Sequence, residues 1–454
     1  MTGGERMRDH LVFLDGVTGY LGRWTLFWLL DELPDERFAV LIRPETRGAG
    51  GAADAGRRLD AVLESIGMAS ERHRITPVAG DLSTPLFGNP EAVAALRAPV
   101  WMHIAGDVRF VKLGTRRSSE RNRGQTATFL DAARRAGGVP TTVCHTSTFY
   151  AFERVGTPRD RYTVPEDFLD PGEMQHHNGY GASKLEAETL LREEVRAGAL
   201  PFKLLVFRPD VIAHHIPAPA VAQRNPGLLV DDFRVMFGLL AALMGRPEGA
   251  SAGGAVAGAV GGSAGRYLPV DSATPLYASD VDSTTRAMAN LAVLFGDGGL
   301  PLDGGYRVFN LANRWQPLTC GDLRAICAAL DPAATAAVRH VSLEEFRTTV
   351  RPRLSAEERL YYTTFIEPFV GYLNRPRTDP RTANVDAVLG EDWHLLHPGH
   401  GRDARAWLAG GVRAALGQRC AAGAAAPAAA PTPAPYPPPY PPPLPVAGPA
   451  GARP

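Results

Sequence analysis

Lysine is almost missing from this 454-residue chain. Lys112, Lys184 and Lys203 are the only three among 48 basic residues, so arginine carries nearly all the positive charge. Excess charge is missing too: 48 basic residues meet 48 acidic ones. A neutral chain lacks the electrostatic footprint of a nucleic-acid binder. Cysteine is scarce, and Cys144, Cys320, Cys327 and Cys420 form no CxxC pair and no zinc spacing. This excludes a disulfide scaffold, offers no metal site and suits a reducing cytoplasm. No apolar run approaches the roughly 18 residues of a membrane span. The opening MTGGERMRDH has no apolar signal-peptide core. The expectation is a cytoplasmic protein that binds neither nucleic acid nor membrane. No internal repeat is found.

What is present is organised around residues 11–22, LVFLDGVTGYLG. An apolar run ends in Gly16, Gly19 and Gly22, and an apolar, helix-compatible run follows from Trp24 to Leu30. Strand, glycine turn and helix in that order let backbone N–H groups approach a pyrophosphate at a helix N-terminus. The spacing is GxxGxxG, and with 48 glycines in the chain it gains meaning only from its surroundings. Thr18, Tyr20 and Leu21 lie within the turn, and Arg23 follows it.

The surroundings repeat the pattern. FAVLI (38–42) is a second buried strand and ends at Arg43. In a dinucleotide fold the residue after this strand faces the adenosine ribose. An acid there holds the 2′-hydroxyl of NAD, whereas arginine can neutralise a 2′-phosphate, so Arg43, helped by Arg23, points to NADP(H). ITPVAG (75–80) is a third strand, followed by Asp81 and Leu82; the aspartate can accept from adenine or serve as a turn cap. PVWMHIA (99–105) is a fourth, ending at Ala105 and Gly106, where glycine permits close passage over a cofactor. A helix over 118–136 carries Asn122 and Gly124. VPTTVCHT (139–146) is the fifth strand, ending at Ser147 and Thr148. After a polar loop (153–178), a helix opens at Tyr180 and runs to about 196. FKLLVF (202–207) is the sixth strand and precedes Arg208, a further candidate for binding the cofactor. Strands alternating with helices predict an α/β fold with a doubly wound parallel sheet of about seven strands.

The organisation expected is a Rossmann-type cofactor domain over 8–215 and a smaller, mainly helical substrate lobe over 216–418. The lobe returns one late strand, YRVFNL (306–311), to the sheet. Helices are expected over 280–295, 317–331, 343–363 and 402–416. The stretch 249–265 is a low-complexity Gly/Ala insertion. The Pro/Ala-rich tail over 419–454, with Tyr436 and Tyr440 between triple prolines, cannot build a core. A docking role for it stays open.

The sharpest chemical signal is Tyr180 with Lys184. Four residues apart on a helix they share a face. Twelve tyrosines and three lysines in 454 positions predict about 0.08 such pairs by chance. An ammonium beside a phenol favours phenolate, so the Tyr180 pKa is expected to fall from its usual ~10. That would make Tyr180 a general acid or base near neutrality, with Lys184 also reaching the nicotinamide ribose. Thr148, with Ser147 in reserve, offers a hydroxyl to a substrate carbonyl. Asn122 completes the catalytic group, placed to hold a water or the backbone near Lys184. His214 and His215 follow the sixth strand and are expected to be structural.

At these positions the chain resembles the extended short-chain dehydrogenase/reductase superfamily. GxxGxxG at 16–22, Asp81-Leu82, Asn122 with Gly124, Ser147-Thr148, YxxxK at 180–184 and FRPDV at 207–211 carry the likeness. VAGDLSTPLFG (78–88), HIAGDVRFV (103–111), YGASKLEAE (180–188), YRVFNLAN (306–313) and RPRTDPRTANVDAVLG (375–390) are similar to the thioester reductase and fatty acyl-CoA reductase group, the male sterility-type NAD(P)-binding proteins. The resemblance implies an NADPH-dependent reductase of an acyl thioester on a carrier protein or coenzyme A, releasing an aldehyde or alcohol. A monomer is the favoured state. The alternatives are a sugar-nucleotide epimerase or dehydratase, a hydroxysteroid-type dehydrogenase, or an idle NADP-binding scaffold. Two departures stand out. Asp15 occupies a place usually small or hydroxylic, where an acid must point away from a pyrophosphate. Gly106 replaces a usual alanine. The chain carries no adenylation or carrier domain, so the thioester would arrive on another molecule.

Overall fold

The computed structural model describes residues 10–393 apart from 46–50, 109–115, 155, 157–159, 213–265, 297–299, 313–317, 331, 337 and 392. His214, His215, the insertion at 249–265, the helix expected over 402–416 and the tail all lie outside the described residues.

Among the described residues, seven strands form one all-parallel sheet. They are β1 (Val12–Leu14), β2 (Phe38–Ile42), β3 (Ile75–Ala79), β4 (Val100–His103), β5 (Thr142–Thr146), β6 (Lys203–Pro209) and β7 (Tyr306–Leu311). The spatial order is β7-β6-β5-β4-β1-β2-β3. The chain therefore reverses direction beside β1, and the crevice at the carboxyl ends of β1 and β4 is where such sheets bind ligands.

Side-chain alternation explains why both faces are covered. Val12, Leu14, Val40, Met102, Leu205 and Phe309 pack into one apolar cluster. Their neighbours Phe13, Ala39, Trp101, Val206 and Val308 pack into the other. A strand with apolar residues at successive positions belongs in a sheet buried on both sides. On the first face lies α1 (Tyr20–Glu32), buried at every position from Trp24 to Leu30. A helix apolar all round needs cover on two sides. The second cover is α5 (Val281–Gly296), whose Met288, Leu291 and Phe295 join the same cluster. On the other face, Phe13 packs 4.4 Å from Trp101, and Trp101 5.5 Å from Phe129 of α3 (Arg116–Arg135).

The boundary expected at 215/216 is therefore not a change of core. Both α5 and β7 belong to the main unit, as do Val385, Leu389 and Trp393. A separate cluster, with Leu268, Leu323, Cys327, Val341, Phe346 and Leu373, makes the smaller lobe. The helix expected over 343–363 is interrupted. Leu354 is extended, and Ser355 restarts the helix with a reciprocal capping box to Glu358, a pattern that favours initiation. A short strand also falls inside the loop expected over 153–178: Arg161–Val164 pairs in parallel with Arg377–Pro380.

Candidate active site

The glycine turn sits at the carboxyl end of β1. Gly16 adopts φ +73°, and a Cβ there would lie 2.7 Å from the Ala105 nitrogen. A Cβ at Gly22 would fall on the Gly16 carbonyl oxygen. Larger residues would push the turn away from both β4 and α1. Gly19 caps α1 and, as a glycine, puts no side chain of its own over the helix N-terminus. Thr18 and Gly19 are exposed and Tyr20 and Leu21 partly buried, so the turn lies at the surface, where a helix N-terminus suits an anion. Arg23 folds back on the turn, donating from Nε to the Gly19 carbonyl (3.3 Å) and from Nη2 to that of Thr18 (3.4 Å).

Asp15 points away from this cradle. It is 1 % exposed and lies against β4, accepting from the Ile104 and Ala105 nitrogens, each at 2.7 Å, and from His103 Nδ1 at 2.6 Å.

At the far end, Arg43 is exposed just after β2. Asp81 accepts from the Ser83 backbone and hydroxyl. Burial pushes the Asp81 pKa up, but the Ser83 hydrogen bonds and the Arg43 and Arg121 charges outweigh it, and the carboxyl lies below its ordinary value. Asp81 is thus a turn cap that also gathers two arginines; Arg121 was not anticipated. Leu82 is 7 % exposed and packs into the sheet's second face.

The reactive end is built by α4 (Gly179–Arg196). Asn178 caps it, accepting from the nitrogens of Tyr180 (2.9 Å) and Gly181 (3.3 Å), and Tyr372 donates to the same oxygen (3.3 Å). The cap fixes where Tyr180 leaves the helix. Its phenol bonds the Thr148 hydroxyl, and Thr148 in turn accepts from the Tyr150 nitrogen at 3.3 Å. Ser147 is turned inward: its nitrogen donates to the Phe207 carbonyl at 2.7 Å, and its buried hydroxyl has no hydrogen-bond partner among the described residues. Thr148, not Ser147, therefore stands beside the tyrosine. Tyr150, Tyr372 and Arg375 wall the same corner, with the Arg375 guanidinium 4.4 Å from the Tyr150 ring centre.

Lys184 is 4 % exposed and donates to the Thr146 carbonyl at 2.9 Å. An ammonium has three donors, and Gly106 leaves room for it: a Cβ there would lie 2.7 Å from Nζ. Burial lowers the Lys184 pKa to about 8, with Asp15 and Glu188 opposing. The expectation for Tyr180 is corrected. Its pKa is raised by burial, which the Thr148 hydrogen bond only partly offsets, and Lys184 is not among the causes. The phenol is therefore held protonated.

Two further candidates serve the framework. Asn122, expected to hold a water or the backbone near Lys184, braces the backbone. It accepts from the Asp107 nitrogen (2.7 Å) and donates to the Asp107 carbonyl (3.1 Å) and the Ser183 hydroxyl (2.7 Å). Arg208 is fully buried, with Nε 2.8 Å from Glu188 and Nη1 and Nη2 on the carbonyls of Pro165 and Asp167. Four of its five N–H donors are taken by these groups and Glu188 Oε2, and the guanidinium is fully enclosed. Among the described residues no cluster of three His, Cys, Asp or Glu could hold a metal, and no helix is long and apolar enough to cross a membrane.

Comparison with known proteins points to one family. Residues 14–249 match the NAD-binding family model described as male sterility protein. The nonribosomal peptide synthetase asaC of Aspergillus flavus is 32% identical over 211 residues, 44% of this chain and 19% of that protein. A carboxylic acid reductase of Segniliparus rugosus is 30% identical over 235 residues, 45% of this chain and 18% of that protein. The chain thus spans about a fifth of the length of these curated relatives. In structure it is similar to the terminal R domain of the myxalamid PKS-NRPS pathway, with TM-score 0.63, 18% identity, and coverage of 91% of this chain and 92% of that one.

Proposed function

Since this chain belongs to the NAD-binding male sterility protein family, we propose that it is an NADPH-dependent reductase of acyl thioesters. The observation that carries the reading is the Thr148–Tyr180 hydroxyl pair, with a buried Lys184 on the same helix, at the open end of the sheet that holds the glycine turn. The sequence relatives, a peptide synthetase and a carboxylic acid reductase, favour thioester over sugar-nucleotide chemistry.

The glycine turn and α1 N-terminus would hold the pyrophosphate, and Arg43 with Arg121 the 2′-phosphate. Lys184 would bond the nicotinamide ribose with the donors that Thr146 does not take. NADPH supplies the hydride that reduces the thioester carbonyl. Thr148 and Tyr180 donate hydrogen bonds to the carbonyl oxygen as negative charge develops on it. The Tyr180 phenol is protonated and so carries the proton that the developing oxyanion takes up. The tetrahedral hemithioacetal then expels the thiol and leaves an aldehyde, and a second round gives the alcohol. The acyl group arrives on a carrier-protein pantetheine arm or on coenzyme A. Asn122 and Asn178 hold the loop and helix that carry these groups.

The test is NADPH oxidation with acyl-CoA, acyl-pantetheine and carrier-loaded thioesters. Thioester-dependent turnover with release of free thiol supports the reading, whereas turnover of ketones or nucleotide sugars alone sinks it. Two expectations accompany it. Arg43→Ala weakens NADPH binding about 10- to 100-fold, the scale of one or two charged hydrogen bonds, and leaves NADH binding unchanged; titrating both cofactors by fluorescence checks this. The pH profile has a descending limb near 8. The ammonium is the working form of Lys184, its pKa is lowered to about 8, and so turnover falls as pH rises through that value.

A further inference from the structure

Burying a carboxylate is costly unless hydrogen bonds and charge answer it. Asp15 receives three donors: two consecutive backbone N–H groups, from Ile104 and Ala105, and His103. The next residue, Gly106, lies against the Lys184 ammonium. A buried negative charge and a buried positive charge thus both meet one three-residue turn, 104–106.

The other groups facing Lys184 do not replace it. The Thr146 carbonyl from β5 and the Asn122 amide from α3 are neutral. Tyr180 precedes Lys184 by one turn, and its phenol is held protonated by burial. Glu188, one turn on, is already bound through both carboxylate oxygens to Arg208. His145 from β5 is held well below its ordinary pKa by burial, with His103 and Lys184 adding to the shift, so it is neutral here.

We propose that Asp15 is a positioning residue of the active site: the buried counter-charge that keeps Lys184 an ammonium while it clamps the 104–106 turn to the glycine cradle. The pairing itself is independent of the reaction; only its consequence for turnover rests on the thioester reductase reading. Consistent with it, Asp15 is the first of the groups that oppose the burial-driven fall in the Lys184 pKa.

The scarcity of lysine makes a direct test possible. In a Lys112→Arg/Lys203→Arg background Lys184 is the sole lysine, and ¹³C-lysine labelling gives one Cε resonance to titrate by NMR. With Asp15 intact the midpoint is expected near 8. In Asp15→Asn it is expected about one pH unit lower, a tenfold smaller ammonium-to-amine ratio. Asp15→Thr, which keeps a hydrogen-bonding oxygen without charge, should lower it likewise and serves if the asparagine variant does not fold. His103→Gln, which keeps the carboxylate, should not lower it. An unchanged midpoint in a folded Asp15 variant, or an equal fall in His103→Gln, overturns the proposal. Neither result depends on substrate. Absence of thioester turnover would count against the functional reading alone.

Discussion

Tyr180→Phe is expected to lower kcat by about 10²- to 10⁴-fold, the range for a positioned general acid, while leaving NADPH affinity within about twofold. The substitution removes one oxygen and keeps the ring. The Asn178 cap, which sets the start of α4, binds backbone nitrogens and is untouched. What is lost is the proton donor and the hydrogen bond to Thr148. Thr148→Ala should cost about 10²- to 10³-fold, as loss of a single oxyanion donor does. The double variant should fall well short of the product of the two, because each hydroxyl depends on the other for its orientation. Ser147→Ala is the control. Its hydroxyl is buried with no hydrogen-bond partner among the described residues, so its removal should leave the rate unchanged. Single-turnover and steady-state measurements on the four proteins check this. A Tyr180→Phe enzyme with wild-type kcat, or a Ser147→Ala enzyme as slow as Thr148→Ala, would contradict the assignment.

The strands were legible because their apolar runs are short, bounded and spaced by helices. β2 and β7 coincide with FAVLI and YRVFNL residue for residue. The Tyr180/Lys184 pair was legible because a helix places residues four apart on one face. What the sequence hides is any partner far along the chain. Asp15 reads as an anomaly until His103, 88 residues later, meets it. The strand Arg161–Val164 is polar, and its partner lies 216 residues away at Arg377–Pro380, so neither shows a periodic signal. Arg375 lay inside a family-like block, but its place over Tyr150 needed the fold. The Tyr180 pKa was misjudged for a related reason. Spacing puts the ammonium nearby, but burial, which spacing does not report, moves the phenol the other way. For Asn122 the sequence left a water or the backbone open, and only the fold shows its amide filled by the Asp107 backbone and Ser183.

Arg208 carries the largest expected effect on stability. Sequence position beside the sixth strand suggested a cofactor contact, whereas the guanidinium lies at 0 % exposure against Glu188 at 1 %. Two buried charges of this kind cost several kcal/mol each to desolvate, and their mutual attraction with added hydrogen bonds offsets that cost. Arg208 satisfies Glu188 through both oxygens and ties β6 to the carbonyls of Pro165 and Asp167. Arg208→Met leaves the Glu188 carboxylate buried without its hydrogen-bonded guanidinium, and should remove about 3–5 kcal/mol of folding stability. Arg208→Met/Glu188→Leu removes both charges together and should recover much of that loss. The Pro165 and Asp167 carbonyls would still lack their donor, so recovery stays incomplete. Urea titration of the three proteins measures it. The NADPH dissociation constant separates the two roles. A packing role leaves it unchanged in whatever fraction of Arg208→Met remains folded. A cofactor-binding role would raise it in both variants, and the Glu188 substitution would not restore it.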